Sequence, residues 1–317
     1  MKLISIIIPM RNAESWIAAT LGSLLSQREV TTEIIVIDDG STDRSADIVR
    51  RVGAPTIRLL PGPQRGISAA FNAGLSAARG EFLCRCDADD LYPPDRLARQ
   101  LRFLAEHSEF GAVCGAYSTI DSRGRHIAEH FTETTAADMT DELLRGIGRS
   151  HVCAYLFRTE LVRRLGGCRE WFVTSEDADL QYRLAETTRI WFDPAVAYLY
   201  RLHESSITHA QKSAERKFFE QQARRFLQQR RETGDDDLQR GTPPAVPDLF
   251  EEAAAQSARE QIQQLMLGEA WRHHARGRRL RAVATGLRAA LRRPNSATAW
   301  RSLLALSLKP CTMRSSP

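Results

Sequence analysis

Long apolar segments are missing from this chain. No run approaches the ~20 residues that span a bilayer, and the longest, such as Leu3 to Pro9, are strand-sized. The N-terminus carries neither an apolar h-region nor a small-residue cleavage site, so export is not expected. Glycine and proline, at 19 and 13 of 317 residues, are too few for a collagen-like or low-complexity chain. The six cysteines show no paired spacing and read as reduced thiols of a cytosolic protein. Cys84 and Cys86 have no second pair to complete a zinc site. No internal repeat recurs. No Gly-x-Gly-x-x-Gly follows the first apolar run, which excludes a dehydrogenase, and Pro9–Glu14 lacks the glycines of a nucleotidyltransferase phosphate loop. What remains is ordinary globular composition, 43% hydrophobic and 26% charged with a mean hydropathy of −0.35. The length suits one large domain with an appendage, or two domains.

Charge divides the chain. Residues 1–211 hold 24 Lys+Arg against 28 Asp+Glu, whereas residues 212–317 hold 20 against 11, so an overall +5 conceals −4 and +9. After Glu269 there is no acidic side chain, while basic residues continue from Arg272 to Arg314. A basic, helix-forming tail suits a polyanion such as a membrane surface, a nucleic acid or an acidic partner. Alternatively it is a solvated helical face.

Hydrophobic patterning gives an order of elements. Leu3–Ile8 is an Ile-rich run suited to a strand buried on both faces, and it stops at Pro9. A helical pattern over Ala13–Gln27 follows, then a strand Glu33–Ile37 ending in Asp38-Asp39-Gly40-Ser41, with Ser41 or Thr42 placed to cap a helix over Arg44–Val52. Thr56–Leu60 reads as a third strand, Ser68–Ala78 as a helix, and Glu81–Cys86 as a fourth strand running into Asp87-Ala88-Asp89-Asp90. This alternation predicts a parallel sheet with right-handed crossovers. Helical stretches follow near 136–146 and 177–187, and after about residue 210 the pattern is helical, with a polar, Pro-containing linker at about 234–247.

In open parallel sheets ligands bind beyond the carboxyl ends of the strands. Three such ends here are polar: Pro9-Met10-Arg11-Asn12, Asp38–Ser41 and Asp87–Asp90. Clustered carboxylates repel one another, and a divalent cation is the simplest relief. Mg²⁺ and Mn²⁺ are hard ions that take one or two carboxylates and complete their shell with water and phosphate oxygens. The other reading of Asp87–Asp90 is an Asp-rich turn with capping roles, in which Asp95 caps the helix after Pro94.

The same residues carry a family resemblance. Ser5-Ile-Ile-Ile-Pro9-Met-Arg-Asn12-Ala-Glu14, Glu33-Ile-Ile-Val-Ile-Asp38-Asp39-Gly40-Ser41-Thr42-Asp43, Gly66-Ile-Ser68…Asn72-Ala-Gly74…Gly80-Glu81 and Asp87-Ala-Asp89-Asp90…Pro94 stand in that order. Gly166-Gly167-Cys168…Ser175-Glu176-Asp177-Ala-Asp179-Leu180…Arg183-Leu184 and Tyr200-Arg-Leu-His203 follow. Together, over roughly residues 3–210, they resemble the family 2 inverting glycosyltransferases. The resemblance implies an α/β GT-A fold, a Rossmann-like, mostly parallel central sheet flanked by helices, as a catalytic domain over 1–210. A helical basic C-terminal extension over 211–317 would follow it. It also implies a hexosyltransferase using a nucleotide-diphosphate sugar, a UDP-sugar in many relatives, and a glycan, lipid-linked or protein acceptor, as in polysaccharide biosynthesis for the cell envelope. Mg²⁺ or Mn²⁺ would be the cofactor. By position, Asp39 would accept a hydrogen bond from the base, the loop with Pro9, Arg11, Asn12 and Glu14 would line the nucleoside, and Asp87 would approach the ribose. Asp89 would hold the metal, with His203 as a further ligand or else a surface histidine. Asp177 falls where the family keeps its catalytic base. A single displacement needs such a carboxylate to take the acceptor proton while metal and cationic groups stabilise the departing diphosphate.

Two positions depart from the family pattern. Arg11 stands where Tyr is common, and Phe71 where many relatives have Arg, with Arg65 placed to supply the missing positive charge. Other residues leave alternatives open. Glu176 orients the acceptor or sits at a helix N-terminus favoured by the dipole. Trp171 and Phe172 stack on a sugar or pack. Gly166-Gly167 serves a tight turn, and Cys84 and Cys86 are core residues on one strand face with Phe82. The competing function is a catalytically silent module docking through its basic tail on membrane or nucleic acid, although for the enzyme no nucleic-acid partner is expected. A cytoplasmic enzyme, with peripheral contact at the inner membrane face through Trp271–Ser307, is the expectation; the rival is that the Leu face of this tail packs on residues 212–270 or on a second subunit.

Overall fold

The computed structural model describes residues 2–130, 135–203, 213–247 and 257–309. Arg314, which figures in the reading above, lies outside the described residues. Strands β1 (Leu3–Met10), β2 (Thr31–Asp38), β3 (Ile57–Pro61) and β4 (Phe82–Arg85) are parallel, joined through helices α1 (Ile17–Leu25), α2 (Ser45–Val52) and α3 (Ile67–Ala77). The apolar run of β1 is buried from Ile4 to Met10 because strands flank it on both sides, Ile6 lying opposite Ile34 of β2 and Cys84 of β4. Pro9 lacks an N–H, and it sits past Ile7, where the pairing with β4 has already ended. Cys84 and Cys86 are fully buried, as the strand pattern requires.

Further along come α4 (Arg96–Glu106), β5 (Phe110–Asp121), β6 (His126–His130), β7 (Ala137–Asp138), α5 (Thr140–Leu143), β8 (Tyr155–Arg158), α6 (Thr159–Arg164), α7 (Glu176–Ala185) and β9 (Arg189–Leu202). The sheet runs β3-β2-β1-β4-β8-β5-β9-β7, with β6 paired to β5. Its later pairings include antiparallel ones, β4 with β8, β8 with β5 and β9 with β7. Four helices complete the described chain: α8 (Ser213–Thr233), α9 (Ala258–Ala275), α10 (Arg279–Arg292) and α11 (Ala297–Leu308).

Two elements differ from the sequence expectation for local reasons. The first helix begins at Ile17 rather than Ala13, because the N–H groups of Ala13 and Glu14 donate to Ser45 Oγ (2.7 Å) and Asp43 Oδ2 (3.0 Å). The helical stretch near 136–146 shrinks to α5, since 137–138 pair with β9. Asp95 stands at the N-cap of α4 without a side-chain capping bond.

The chain forms two compact units that are not consecutive in sequence. One gathers Met1–Tyr117, Phe131–Leu199 and Ala214–Glu251; the other gathers Ser118–His130, Tyr200–Ser213 and Glu252–Pro317. Helix α8 therefore clusters with residues well before the 210 boundary. Its Phe219 and Phe226 are fully buried and meet Trp171 with ring centroids 5.1 and 5.5 Å away, so Trp171 and Phe172 pack. The start of the expected linker is also anchored: Asp236 is fully buried and paired with Arg169 (2.6 Å) and Arg230. The second unit has its own core, with Ile127, Leu202, Ile262, Met266 and Ala289 in one cluster and Ala270, Ala282 and Leu306 in another. Among the described residues no helix is long and apolar enough to cross a membrane.

Candidate active site

The carboxyl ends of β1, β2 and β4 carry the acidic and polar residues singled out above, and all but His203 of the predicted site residues belong to the first unit. Asp39 follows β2 and is nearly buried. Its two carboxylate oxygens accept the backbone N–H groups of Gln64 (2.6 Å) and Gly66 (2.9 Å), which fastens the loop after β3 around it. The approach is so close that a Cβ on Gly62 would lie 2.8 Å from Asp39 Oδ1, which makes glycine necessary there. Each oxygen keeps a lone-pair direction for a further donor.

The loop after β1 is braced against the loop after β2. Asn12, in the left-handed region at φ 51°, receives the N–H of Thr42 on Oδ1 (2.8 Å) and donates its own N–H to Ser41 Oγ (3.0 Å). Glu14 Oε2 accepts from the N–H and Nε of Arg44 (3.1 and 3.2 Å). Pro9 is buried, whereas Arg11 is exposed. Arg65 is also exposed and pairs with Glu170 (3.3 Å).

The Asp87–Asp90 turn follows β4. Asp87 Oδ1 accepts Arg85 Nε (2.8 Å), and Asp90 accepts the hydroxyl of Tyr198. Burial pushes the Asp87 carboxyl up, but Arg85, His151 and a Cys153 hydrogen bond outweigh it and hold the group below the usual carboxylate range. Asp89, between these two, is half-buried. The Asp89 carboxylate is a hard oxygen donor, the type that takes Mg²⁺ or Mn²⁺ together with water and substrate phosphate. Asp87, His151 and Cys153 also bring ligand atoms within 4.8 Å of one another. That oxygen–nitrogen–sulfur set would prefer a softer ion, and the Arg85 guanidinium on Asp87 opposes any cation there.

Asp177 lies in the first turn of α7. Residue Ser175 precedes the helix in the left-handed region at φ 60° and gives no side-chain cap. The sequence offers three carboxylates at this turn, and their surroundings separate them. Asp179 is 0% exposed and clamped by Arg169 (Nε 2.9 Å) and Arg183 (2.8 Å), so it is a structural anion. Glu176 is buried against Arg85 Nη1 at 2.8 Å; burial raises its carboxyl above the ordinary value in spite of the arginine, and the charge of Asp177 adds to the rise. Asp177 is half-buried, its Oδ1 accepting the N–H of Ala178 (2.9 Å). Upstream, Gly166 and Gly167 make the expected tight turn at φ 73° and 71°, locked by Asn72, which exchanges two bonds with Cys168 (2.8 and 2.9 Å). His203 directly follows β9, in the second unit, and is buried.

The family model described as Glycosyl transferase family 2 matches residues 5–166, just over half of the chain. The chain belongs to glycosyl transferase family 2. EpsJ of Bacillus subtilis, an uncharacterized glycosyltransferase, is 31% identical over 219 residues, covering 65% of this chain and 63% of that protein. The succinoglycan biosynthesis protein ExoO of Rhizobium meliloti is 28% identical over 229 residues, covering 65% and 62%. An uncharacterized glycosyltransferase of Rickettsia typhi is 26% identical over 214 residues, covering 65% and 66%. The match thus spans less than two thirds of each of these relatives. Among solved structures, S. aureus TarS 1–349 in complex with UDP-GlcNAc superposes with a TM-score of 0.61 at 19% identity, covering 97% of this chain and 89% of that one. The mannosyltransferase PcManGT from Pyrobaculum calidifontis, in complex with GDP-Man and Mn²⁺, gives 0.53 at 23%, covering 96% and 80%. The fold of this glycosyltransferase-family chain is accordingly GT-A.

Arg85 and Tyr198 are the site residues that the sequence reading passed over. Arg85 had a usable signal: a cation at the end of the apolar strand Phe82–Arg85 must find buried partners. Tyr198 had none, because its partner Asp90 is 108 residues away.

Proposed function

We propose that this chain transfers a sugar from a nucleotide-diphosphate sugar, in the first instance a UDP-sugar, to a glycan, lipid-linked or protein acceptor with inversion at the anomeric carbon. The observation that carries the reading is the Arg85 bridge: one buried guanidinium joins Asp87 to Glu176, 91 residues from Arg85 in sequence, and so sets the Asp-x-Asp turn beside the helix turn that presents Asp177. A donor side and a proton-accepting side are then neighbours across one guanidinium. Asp177 takes the acceptor hydroxyl proton as that oxygen forms its bond to the anomeric carbon, and the bond to the diphosphate breaks with the electron pair leaving on the diphosphate. Asp39 and the Pro9–Glu14 loop hold the nucleoside, and Asp87 the ribose. Asp89 would hold Mg²⁺ or Mn²⁺, which supplies positive charge against the leaving group. Purified protein incubated with a panel of nucleotide sugars and Mn²⁺ tests this. Release of one nucleotide is expected, with Asp89→Ala abolishing metal-supported binding of UDP while the fold is retained. No release from any donor, with or without acceptor glycans, refutes it.

The second unit supports peripheral contact with an anionic membrane. On α10 the small residues face inward, with Ala282, Gly286, Ala289 and Ala290 buried, while Leu280, Leu287 and Leu291 are exposed, Leu280 to 89%. On α11, Trp300, Leu304 and Leu308 are likewise exposed. Small inner residues permit close approach: a Cβ on Gly286 would already lie 3.0 Å from Leu306. The outer leucines alternate with exposed Arg281, Arg288 and Arg301, a surface that suits acyl chains beneath anionic headgroups. A second copy of so basic a face would be repelled. Co-sedimentation with phosphatidylglycerol-containing vesicles at low and high salt, for the full chain and for the chain without residues 271–317, is the test. Salt-sensitive binding lost with the tail is expected, and full-length protein left in the supernatant at low salt ends the idea.

A further inference from the structure

We infer that Arg85 is a positioning residue that sets the distance and angle between the donor-side turn and the base-bearing turn of α7; its kinetic role rests on the transfer reading above.

Burial is the first argument. Arg85 is 3% exposed, the last residue of a strand whose other members are Phe, Leu and Cys. An ion at such a place costs several kcal/mol unless its charge is matched by close partners, so its two carboxylate contacts are obligatory.

Geometry is the second. Nε meets Asp87 Oδ1 and Nη1 meets Glu176 Oε1, both at 2.8 Å. The guanidinium is planar, so two bonds from different nitrogens fix the two carboxylates relative to one plane; a lysine ammonium on a flexible stem has no such constraint. The backbone from which the side chain springs is held as well, because the Arg85 carbonyl accepts the hydroxyl of buried Tyr92 at 2.6 Å.

Helix α7 also lacks a capping side chain. Its N-cap residue, Ser175, is left-handed and makes no side-chain bond to the first turn, whereas a capping side chain is the usual device that secures a helix start. Arg85 grips the next residue, Glu176, instead. Asp177 is one residue further, and its aim therefore depends on this contact. A shift of about 1 Å in a reacting group can cost ~10²-fold in rate.

The alternative is that Arg85 merely neutralises a buried Glu176. Variants Arg85→Lys, Glu176→Gln and Arg85→Met/Glu176→Gln separate the two. A glutamine can still accept from Arg85, and the double variant removes cation and anion together, so the fold does not have to carry an unmatched charge on α7. Amide hydrogen exchange over residues 175–180, thermal unfolding, and kcat and KM on the donor selected by the panel are measured for each. If Arg85 positions α7, the double variant exchanges at least ~10-fold faster in that turn than Glu176→Gln. It then loses ~10- to 10²-fold in kcat with little change in acceptor KM. Arg85→Lys unfolds near the wild-type temperature yet keeps the kcat defect. A double variant matching Glu176→Gln in both exchange and kcat overturns the inference. Should the wild type turn over no donor, the transfer reading falls while the exchange comparison still decides the role of Arg85.

Discussion

On the nucleoside side of the site the carboxylate of Asp39 is gripped by backbone N–H groups of Gln64 and Gly66, whereas on the α7 side Glu176 and Asp179 are gripped by arginine side chains. The difference decides what a substitution leaves behind. Removing a carboxylate held by amides strands neutral donors that water or an amide oxygen can serve. Removing one held by guanidinium strands a buried cation. The first arrangement tolerates change in the side chain; the second does not. Arg169 extends it, since it holds both Asp179 and Asp236 and thereby ties α7 to the chain after α8.

The largest expected effect follows directly. Asp179→Ala leaves Arg169 and Arg183 facing an emptied buried site, and should destabilise the protein by about 3–5 kcal/mol in denaturant unfolding. A loss under about 1 kcal/mol would mean that the arginine clamp contributes no more than the amide clamp, and the contrast would vanish.

Two residues earlier the balance reverses. Asp177→Asn should cost ~10²-fold or more in transfer, the scale of a general base, with donor affinity retained and stability within about 0.5 kcal/mol. Transfer near the wild-type rate would remove Asp177 from the role, with Glu176 next to be tested because Asp179 is occupied.

A smaller effect belongs to the amide-held side. Asp39→Asn keeps an acceptor oxygen toward the loop and should lower stability by about 1 kcal/mol while weakening UDP binding measured by calorimetry. A penalty as large as that of Asp179→Ala would show that the loop clamp depends on charge.

The smallest concerns acid. Burial pushes the Asp236 carboxyl up, yet bonds from Arg169, Arg230 and the Gln239 N–H outweigh it and hold the group below its ordinary value. A group with a lowered folded pKa stabilises fully above its unfolded value of about 3.9, and that contribution is lost as pH falls through the lower folded value. Wild type should therefore lose stability more steeply than Asp236→Asn below about pH 4, read from unfolding midpoints across that range. Parallel curves would show that the pair has no net effect on stability.

The first four strands and their helices were legible because each rests on a local signal, such as the Ile-rich run of β1 or the Asp38–Ser41 punctuation after β2. The acidic ends of β2 and β4 were legible for the same reason: parallel alternation dictates which ends of the strands gather. Boundaries were less so where a distant group captured the backbone, as Ser45 and Asp43 do at the start of α1.

By itself the sequence determined that a parallel sheet would bring Asp39, Asp87 and Asp89 to one edge, and that a basic helical region would follow. Three acids on one helix turn, Glu176, Asp177 and Asp179, look alike in sequence, and only the tertiary structure decided that Asp179 is an anchor and Asp177 is half-buried. Only it decided that α8 belongs with the first unit, and that α10 turns its alanines in and its leucines out. Periodicity reports that a helix has an apolar face. Which face is covered depends on the partner that reaches it from elsewhere in the chain, and that is a non-local fact of packing.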